Sequence, residues 1–437
     1  MNWIGKWLRR ILRLFVLIAI AAYIYDNYCH KHSFWEHQPV EWASDSGEIN
    51  SNSIGEFDAS SASAMLTTIS KLPLFNVTIP SEMRFHVFSE RQLETHAHNE
   101  NIYDFLRENF SSYLHMRDEV INYHITKETS VNIGIYHGNE LVGFIHGRPI
   151  DIVFNQNEHT VYYVEYLCVH RDYRSRNLAS ILISRYIQEM ERITGRDDLW
   201  FLFKKDGQKH PFVSFFQSEY KILDLGEHRF NRPSISDSDV SISDEMKRIV
   251  YDEWVQYSSS FQFHRKMTFD EFASPVSTIW ICGLDGIAIV CKTSQLYDPI
   301  RDTHDKVVDI EYLIPLSTPG EPLSTSGEQT STLGEQTSTS GEPLSTPGEQ
   351  TSTLGEPDNS GNSELLSMYP YTFADLVNYL KHQGIMYMTI NDIGRHREIL
   401  RRVEPTFEWK SANQFQYYAY NFKCPQLKSD EFYFTIN

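Results

Sequence analysis

The chain has 437 residues, of which 41% are hydrophobic and 14% are aromatic, a composition typical of a folded protein. Its length favours two lobes over a single core. A formal net charge of −19 argues against nucleic acid as a partner. The five cysteines are scattered, with no Cys-x-x-Cys pair and no His/Cys group at zinc spacing, so the sequence predicts neither a disulfide framework nor a metal site.

The first 31 residues combine basic and apolar character. Four basic residues between Lys6 and Arg13 precede an uninterrupted apolar run from Leu14 to Tyr25. Counted from Trp3, with the basic side chains reaching to the interface, the stretch approaches the length of about 20 residues that a membrane span needs. We therefore predict a membrane-anchor helix over residues 1–31, with the membrane contact in residues 1–25.

Strand and helix patterns alternate through the first half of the chain, from Phe85 to Leu223. Runs of β-branched and aromatic residues predict strands, and apolar residues at helical spacing predict helices. The predicted elements are a helix over Asn101–Phe110, strands over Val131–Ile135, Leu141–Ile145 and Tyr162–Val169, and a helix over Ile181–Ile193.

The second half continues this alternation after a Ser/Asp-rich linker at Asn231–Ser243. The predicted helices are Asp244–Ser258, Thr372–Gln383 and Arg395–Val403, and the predicted strands are Thr278–Cys282, Ile287–Lys292, Val307–Tyr312, Met386–Ile390 and Gln414–Phe422. The pattern is typical of an α/β protein, and we place its two lobes at residues 32–235 and 236–437.

A seven-residue unit, Ser-Thr-x-Gly-Glu-(Pro/Gln)-x, occurs six times over residues 317–358. Each unit has a glycine and at most one aliphatic residue, so it cannot form the apolar seam of a coiled coil. Such a composition buries too little apolar surface to offset the entropy of ordering. We expect a disordered insertion within a surface loop of the second lobe.

The segment after the predicted strand Tyr162–Val169 has the features of an anion site. Arg174–Ala179 forms a polar turn ahead of a helix, where free backbone N–H groups and two arginines would meet. Asn177 stands where a left-handed residue is needed, a conformation that asparagine tolerates. The turn resembles the Arg-x-x-Gly-x-Gly/Ala turn with which GNAT-type acetyltransferases hold the pyrophosphate of coenzyme A.

Three separated motifs resemble those of the glycylpeptide N-tetradecanoyltransferases, or N-myristoyltransferases. They are His32–Val40 (HSFWEHQPV), Val164–Ser180 (VEYLCVHRDYRSRNLAS) and Phe415–Pro425 (FQYYAYNFKCP). The sequence ends twelve residues after Pro425, at the spacing that the resemblance implies.

The resemblance implies two acyl-CoA N-acyltransferase (GNAT-like) lobes around a mixed, saddle-shaped sheet. Lobe 32–235 would bind myristoyl-CoA, as a co-substrate and not as a permanently bound cofactor, and lobe 236–437 would bind the peptide. Acyl-CoA supply and the unpaired cysteines favour a membrane-associated protein whose catalytic region is cytosolic. The cations ahead of the apolar run favour the opposite orientation.

The implied reaction is transfer of a myristoyl group to the N-terminal glycine amine of a protein or peptide, by direct attack. Backbone N–H groups of Tyr166 and Leu167 would form the oxyanion hole, and the α-carboxylate of Asn437 would be the base. The residues implied to contact the coenzyme are Phe34, Trp35, Tyr166, Leu167, Val169, Arg174, Ser175, Arg176, Asn177, Leu178 and Ala179. Asp392 is the residue implied to line the peptide groove.

Three of the neighbouring residues have a second interpretation. Cys168 could be a nucleophile, but a cysteine in a buried strand usually packs as a small hydrophobic residue. His170 could be a base, although the sequence shows no carboxylate partner for it. Asp392 could instead cap a helix.

The peptide half departs from the family pattern at Phe203–Gly207, Gln217 and Leu313–Pro315. These departures leave two alternatives open. One is a related acyltransferase that uses another acyl chain or amine, and the other is a catalytically degenerate acyl-CoA-binding protein.

Overall fold

The computed structural model describes residues 16, 18, 38, 40, 66–68, 78–88, 96–110, 114–116, 118–127, 129–206, 213–226, 242–298, 303–316, 368–403 and 407–435. The predicted anchor helix lies outside the described residues except for Val16 and Ile18, which are helical. The predicted repeat insertion lies wholly outside them, as does nearly all of the linker. Within the described ranges, no helix is both long and apolar enough to cross a membrane.

The described helices are α1 His96–Asn109, α2 Asp118–Ile125, α3 Leu178–Thr194, α4 Asp244–Ser258, α5 Phe269–Phe272, α6 Phe373–His382 and α7 His396–Val403. The strands are β1 Thr67–Thr68, β2 Met83–Phe88, β3 Leu114–Met116, β4 Val131–His137, β5 Glu140–Phe154, β6 Asn157–Val169, β7 Phe201–Asp206, β8 Phe216–Asp224, β9 Phe263–Lys266, β10 Thr278–Cys282, β11 Ile287–Asp298, β12 Thr303–Pro315, β13 Ile385–Asn391, β14 Lys410–Tyr420, β15 Phe422–Lys423 and β16 Phe432–Tyr433.

A mixed 14-stranded sheet organises the chain, with its main path in the order β10-β11-β12-β13-β8-β14-β7-β6-β5-β4-β2. The pairs β6–β7 and β12–β13 are parallel. Parallel neighbours need a crossover, and here α3 follows β6 while α6 follows β12. Each half of the chain therefore contains one strand–helix–strand unit, and the seven-residue repeats fall within the second crossover.

The last strands of the chain join its two halves. Strand β14 pairs with β7 on one side and with β8 on the other, and β8 pairs in turn with β13. Strand β9 pairs with β5 of the first half and with β16 near the C-terminus. The C-terminal segment is thus built into the middle of the protein, and Thr435 is buried there.

Helix α3 packs close to the sheet of the first half. Its apolar residues Leu182, Tyr186 and Met190 are buried in one core with residues of β4 and β5. Gly147 of β5 permits this approach, because a Cβ atom at that position would overlap the Tyr186 hydroxyl. The packing of α3 fixes where the helix begins, and hence where the turn from Arg174 to Ala179 lies.

Deleting residues 317–358 and joining the ends with a short Gly/Ser bridge should leave the thermal transition nearly unchanged. The physical reason is that each doubling of a flexible loop costs only about 0.6 kcal/mol of closure entropy. Differential scanning calorimetry of the deletion variant tests this expectation. A collapse of the transition temperature would show that the repeats pack on the folded core.

Candidate active site

Strand β6 carries a bulge at the two residues predicted to form the oxyanion hole. The pairing with β5 shifts between Phe144 and His146, so that Tyr166 and Leu167 together lie across from Ile145. Tyr166 has a φ of 52°, a left-handed conformation that is uncommon for a residue with a side chain. Bulges of this kind reorient the local backbone and are frequent beside active sites.

Cys168 lies just beyond the bulge and is buried. Burial raises the pKa of its thiol to about 12, so very little of the reactive thiolate is present near neutral pH. The structure therefore favours packing over a nucleophilic role for Cys168.

His170 has the carboxylate neighbour that the sequence did not reveal. Its Nε2 lies 3.7 Å from Oε1 of Glu140, while its Nδ1 accepts the backbone N–H of Asp172 at 3.2 Å. A neutral imidazole that accepts at Nδ1 carries its proton on Nε2. His170 therefore has no free lone pair with which to act as a base in this geometry.

The turn after β6 has the backbone conformation of an anion-binding loop. A short 3₁₀ helix at Arg171–Tyr173 leads into Ser175 with a φ of 66° and Asn177 with a φ of 61°. Helix α3 then begins at Leu178. The predicted left-handed conformation of Asn177 is confirmed, and the first N–H groups of α3 follow it directly, as an anion site at a helix N-terminus requires.

The two arginines of this turn have different surroundings. Arg174 donates from a terminal nitrogen to the carbonyl of Asn109 at 2.8 Å and from Nε to the carbonyl of Val169 at 3.3 Å. Its guanidinium therefore links the turn to the end of α1 by hydrogen bonding. Arg176 lies over the ring of Tyr173, 4.8 Å from its centroid, and presents an exposed cation beside the helix start.

Three predicted site residues, Phe34, Trp35 and Asn437, lie outside the described residues. Gln38, from the same motif as Phe34, is described: its Oε1 accepts the Tyr420 hydroxyl at 2.7 Å. This contact joins the front motif to the end of β14, so segments far apart in sequence meet at one place.

A small cavity reaches the C-terminal segment. It has room for about one water molecule, and its polar lining includes His124, Arg265, Lys292, Glu311 and Thr435. Lys292 and Glu311 are both buried, with Nζ 3.4 Å from Oε1. The chain thus approaches its end in a buried and charged environment.

A second buried polar group adjoins Tyr166 and was not predicted from the sequence. Glu165 lies within 3.3 Å of Nε2 of His146 and of Nε of Arg148, and within 3.6 Å of Nδ1 of His124. These side chains come from α2, β5 and β6, so no short motif relates them.

Asp392 forms an ion pair with Arg397, five positions along the chain. The same guanidinium donates to Glu219 at 3.0 Å. Helix α7 begins at His396, so Asp392 lies ahead of the first turn and is held by this ion pair. Nζ of Lys221 lies 3.5 Å from the same Glu219 carboxylate, so two carboxylates and two cations meet near the pairing of β8 with β13.

Within the described part of the chain, no group of three or more His, Cys, Asp or Glu side chains is placed to hold a metal ion. The four cysteines described there are free and buried.

Comparisons with known proteins point to one family. Residues 66–203 match the family model described as myristoyl-CoA:protein N-myristoyltransferase, N-terminal domain. A glycylpeptide N-tetradecanoyltransferase of Plasmodium falciparum (isolate 3D7) is 40% identical over 62 residues. That match covers 14% of this chain and 14% of the Plasmodium protein, and a second sequence from Plasmodium falciparum matches with the same values.

Solved structures of Saccharomyces cerevisiae N-myristoyltransferase share the fold of this chain over most of its length. The structure with bound myristoyl-CoA matches with a TM-score of 0.58 and 14% identity, covering 92% of this chain and 90% of that one. The structure with myristoyl-CoA and inhibitors matches with a TM-score of 0.58 and 13% identity, covering 92% of each chain. Residues 66–203 thus match the model of the N-terminal domain of the N-myristoyltransferases, within a chain that has the fold of the Saccharomyces cerevisiae enzyme.

Proposed function

We propose that this protein transfers a myristoyl group from myristoyl-CoA to the N-terminal glycine amine of proteins or peptides. One observation carries the proposal: the family match over 66–203 includes both the bulge at Tyr166 and the turn at Arg174–Ala179. The family match and a suitable local geometry therefore coincide in one short stretch of chain.

The coenzyme would lie along the turn and the start of α3. Its diphosphate would accept hydrogen bonds from the backbone N–H groups of Leu178 and Ala179. It would also form an ion pair with Arg176. Leu178 is itself buried, so its contribution would come from the backbone. Phe34, Trp35 and Val169 complete the proposed coenzyme contacts.

The chemical step is a direct attack of the glycine amine on the thioester carbonyl. The N–H groups of Tyr166 and Leu167 would stabilise the oxyanion, a contribution of about 3 kcal/mol for each donor. The ammonium form of the amine, with a pKa of roughly 8, would give up one proton to the α-carboxylate of Asn437 before the attack. The carbon–sulfur bond then breaks, and the departing thiolate of coenzyme A takes up the second proton that the nitrogen loses.

The second half of the chain would supply the peptide groove, with Asp392 among its contacts. Asp392 and Glu219 already pair with Arg397, and Nζ of Lys221 lies 3.5 Å from the Glu219 carboxylate. A basic residue of the peptide would therefore have to displace these cations to reach the two carboxylates. The lobes 32–235 and 236–437, with the repeats 317–358 as an insertion, remain our proposed division of the chain.

A mass-spectrometric assay with myristoyl-CoA and Gly-initiated peptides tests the proposal. The expected product is a peptide heavier by one myristoyl group at its N-terminal amine, with no product from the matched Ala-initiated peptide. Palmitoyl-CoA in place of myristoyl-CoA measures the acyl preference. Binding of acyl-CoA without any transfer would instead identify a degenerate acyl-CoA-binding protein.

Replacing either turn arginine by alanine should weaken coenzyme A binding, by about 1–3 kcal/mol for a charge-assisted bond to phosphate. Arg176→Ala is the cleaner test, since Arg174→Ala also removes bonds to the carbonyls of Val169 and Asn109. Arg196→Ala is the matched control, because Arg196 is an exposed arginine just beyond the other end of α3. If calorimetry gives an unchanged affinity for coenzyme A in both turn variants, the turn only connects the strand to the helix and does not bind the coenzyme.

We further propose that residues 1–25 attach the protein to a membrane and that its catalytic region is cytosolic. Two glycosylation sequons begin at Asn76 and Asn109, and only a lumenal chain would receive sugar there. Asn109 is buried, and its Nδ2 donates to the Phe105 carbonyl at 3.0 Å, so the folded protein has no room for a glycan on it. Asn76, outside the described residues, is therefore the informative site, and a glycosidase-sensitive mass shift that Asn76→Gln abolishes would contradict a cytosolic location.

A further inference from the structure

The side chain of Tyr166 is fixed at both of its ends. Its hydroxyl lies 2.7 Å from Nδ1 of His124, which belongs to α2. Its ring stacks on that imidazole at an interplanar angle of 29° and meets the ring of Phe110 edge-on. Left-handed backbone at a residue other than glycine costs about 1–3 kcal/mol and persists only where the surroundings determine it. These contacts supply such surroundings for Tyr166.

His124 is in turn held by a buried group of charged side chains. Oε1 of Glu165 lies 3.6 Å from its Nδ1 and 3.3 Å from Nε of Arg148. His124 is fully buried and Arg148 is 1% exposed. Among the described residues, neither terminal nitrogen of Arg148 has a hydrogen-bond partner. The group therefore includes a charged side chain that is buried but incompletely satisfied.

Stability alone does not account for this group. Ion pairs removed from water recover the cost of desolvation only with excellent geometry, and apolar replacements are often neutral or stabilising. A buried cluster of titratable groups in contact with an irregular strand is more typical of a functional site. Each side chain of the group contacts either Tyr166 or a direct neighbour of Tyr166. This proximity indicates that the group acts on the bulge.

Near neutral pH the hydrogen bond joins two uncharged groups. Burial raises the pKa of the Tyr166 hydroxyl well above its usual value, and burial lowers the pKa of His124 well below its usual value. Near neutral pH, a protonated phenol therefore faces a neutral imidazole. The 2.7 Å contact between the hydroxyl and Nδ1 is thus a hydrogen bond between neutral groups, and the tautomer of the ring sets which of them donates.

We propose that the Tyr166 hydroxyl and His124 are positioning residues for the acyl-transfer step. Their hydrogen bond holds the left-handed backbone at Tyr166, and the contact with Glu165 keeps the His124 ring in place. The inference rests on the proposed function, which assigns the N–H groups of Tyr166 and Leu167 to the thioester oxyanion. It gives a role to the phenolic oxygen, which a backbone oxyanion hole does not itself require.

The variant Tyr166→Phe removes one oxygen atom and tests the inference directly. We expect kcat to fall about 10-fold, since the loss removes a buried hydrogen bond to Nδ1 of His124, while KM for myristoyl-CoA stays unchanged. Amide hydrogen exchange at Tyr166 and Leu167 should become faster. The control is Tyr163→Phe, which alters another buried tyrosine of β6 and should change neither quantity.

A double-mutant cycle with His124→Leu separates positioning from general destabilisation. If the two side chains act through one hydrogen bond, the double variant loses no more kcat than the worse single variant. Additive losses would overturn the inference, as would a lower melting temperature at unchanged kcat and unchanged exchange. A wild-type protein without transferase activity would contradict the proposed function instead, and the exchange measurement would still decide whether the hydroxyl holds the bulge.

Discussion

Amidating the α-carboxylate of Asn437, or adding a few residues after it, should slow acyl transfer by about 10²-fold or more, the usual effect of losing a positioned base. Thr435, two residues earlier, is 4% exposed and lines the buried cavity with Lys292 and Arg265. Amidation would remove the terminal charge and an appended segment would move it along the chain, so both changes would take away the proposed base.

The position of the carboxylate should matter, while the side chain of Asn437 should not. Asn437→Leu is the matched control and should keep most of the single-turnover rate. Affinity for myristoyl-CoA should survive in every variant, because the proposed coenzyme contacts lie at Phe34, Trp35 and Arg174–Ala179. A C-terminally tagged protein with the full single-turnover rate would remove the terminal carboxylate as base. His170 would then need to free its Nδ1 from the backbone N–H of Asp172 before it could replace it.

Elements with strong local signals were predicted accurately. Helix α4 runs from Asp244 to Ser258 and β10 from Thr278 to Cys282, as the sequence predicted. For α4 the reason is visible at its start, where Ser243 accepts the backbone N–H of Met246 at 3.3 Å. A side-chain cap of this kind marks a helix boundary within the sequence itself.

Strand β5 is longer than the sequence predicted. The sequence predicted a strand over Leu141–Ile145, and proline, which follows at Pro149, is uncommon inside a sheet. The strand continues to Phe154. The partner that makes this possible is Glu165 of β6, which lies across from His146 and pairs with Arg148. A neighbouring strand thus overrides the local signal.

The same long-range pairing explains why the group around Tyr166 was missed. His124, Arg148 and Glu165 lie on three elements, and only the fold brings them together. One local signal was available: Glu165 is a carboxylate inside the otherwise uncharged run from Tyr162 to Val169. A charge within a buried strand requires a buried partner, and searching for that partner would have pointed toward Arg148.

Acidification should destabilise the fold through buried histidines, and His396 provides the clearest case. Its Nδ1–H donates to the Asn391 carbonyl at 3.0 Å, and its Nε2 accepts the Leu313 N–H at 3.2 Å. Burial, partly offset by the bond to Asn391, lowers its pKa from 6.5 to about 4. Between these two values the unfolded chain binds the additional proton and the folded chain does not. The contribution of His396 to stability is therefore complete above pH 6.5 and is lost as the pH falls toward 4.

Between pH 7 and pH 5 this linkage amounts to about 2 kcal/mol of unfolding free energy for His396. His124 and His146 are also buried with lowered pKa values, so their contributions have the same sign. Urea unfolding of the wild type and of His396→Gln at the two pH values isolates the contribution of His396. The loss on acidification should be about 2 kcal/mol smaller in the variant, because glutamine takes up no proton. The exposed His382 provides the control His382→Gln, which should keep the wild-type difference. Equal losses of unfolding free energy in wild type and His396→Gln would mean that His396 takes up its proton as readily in the folded protein as in the unfolded chain. The two hydrogen bonds would then not oppose its ionisation.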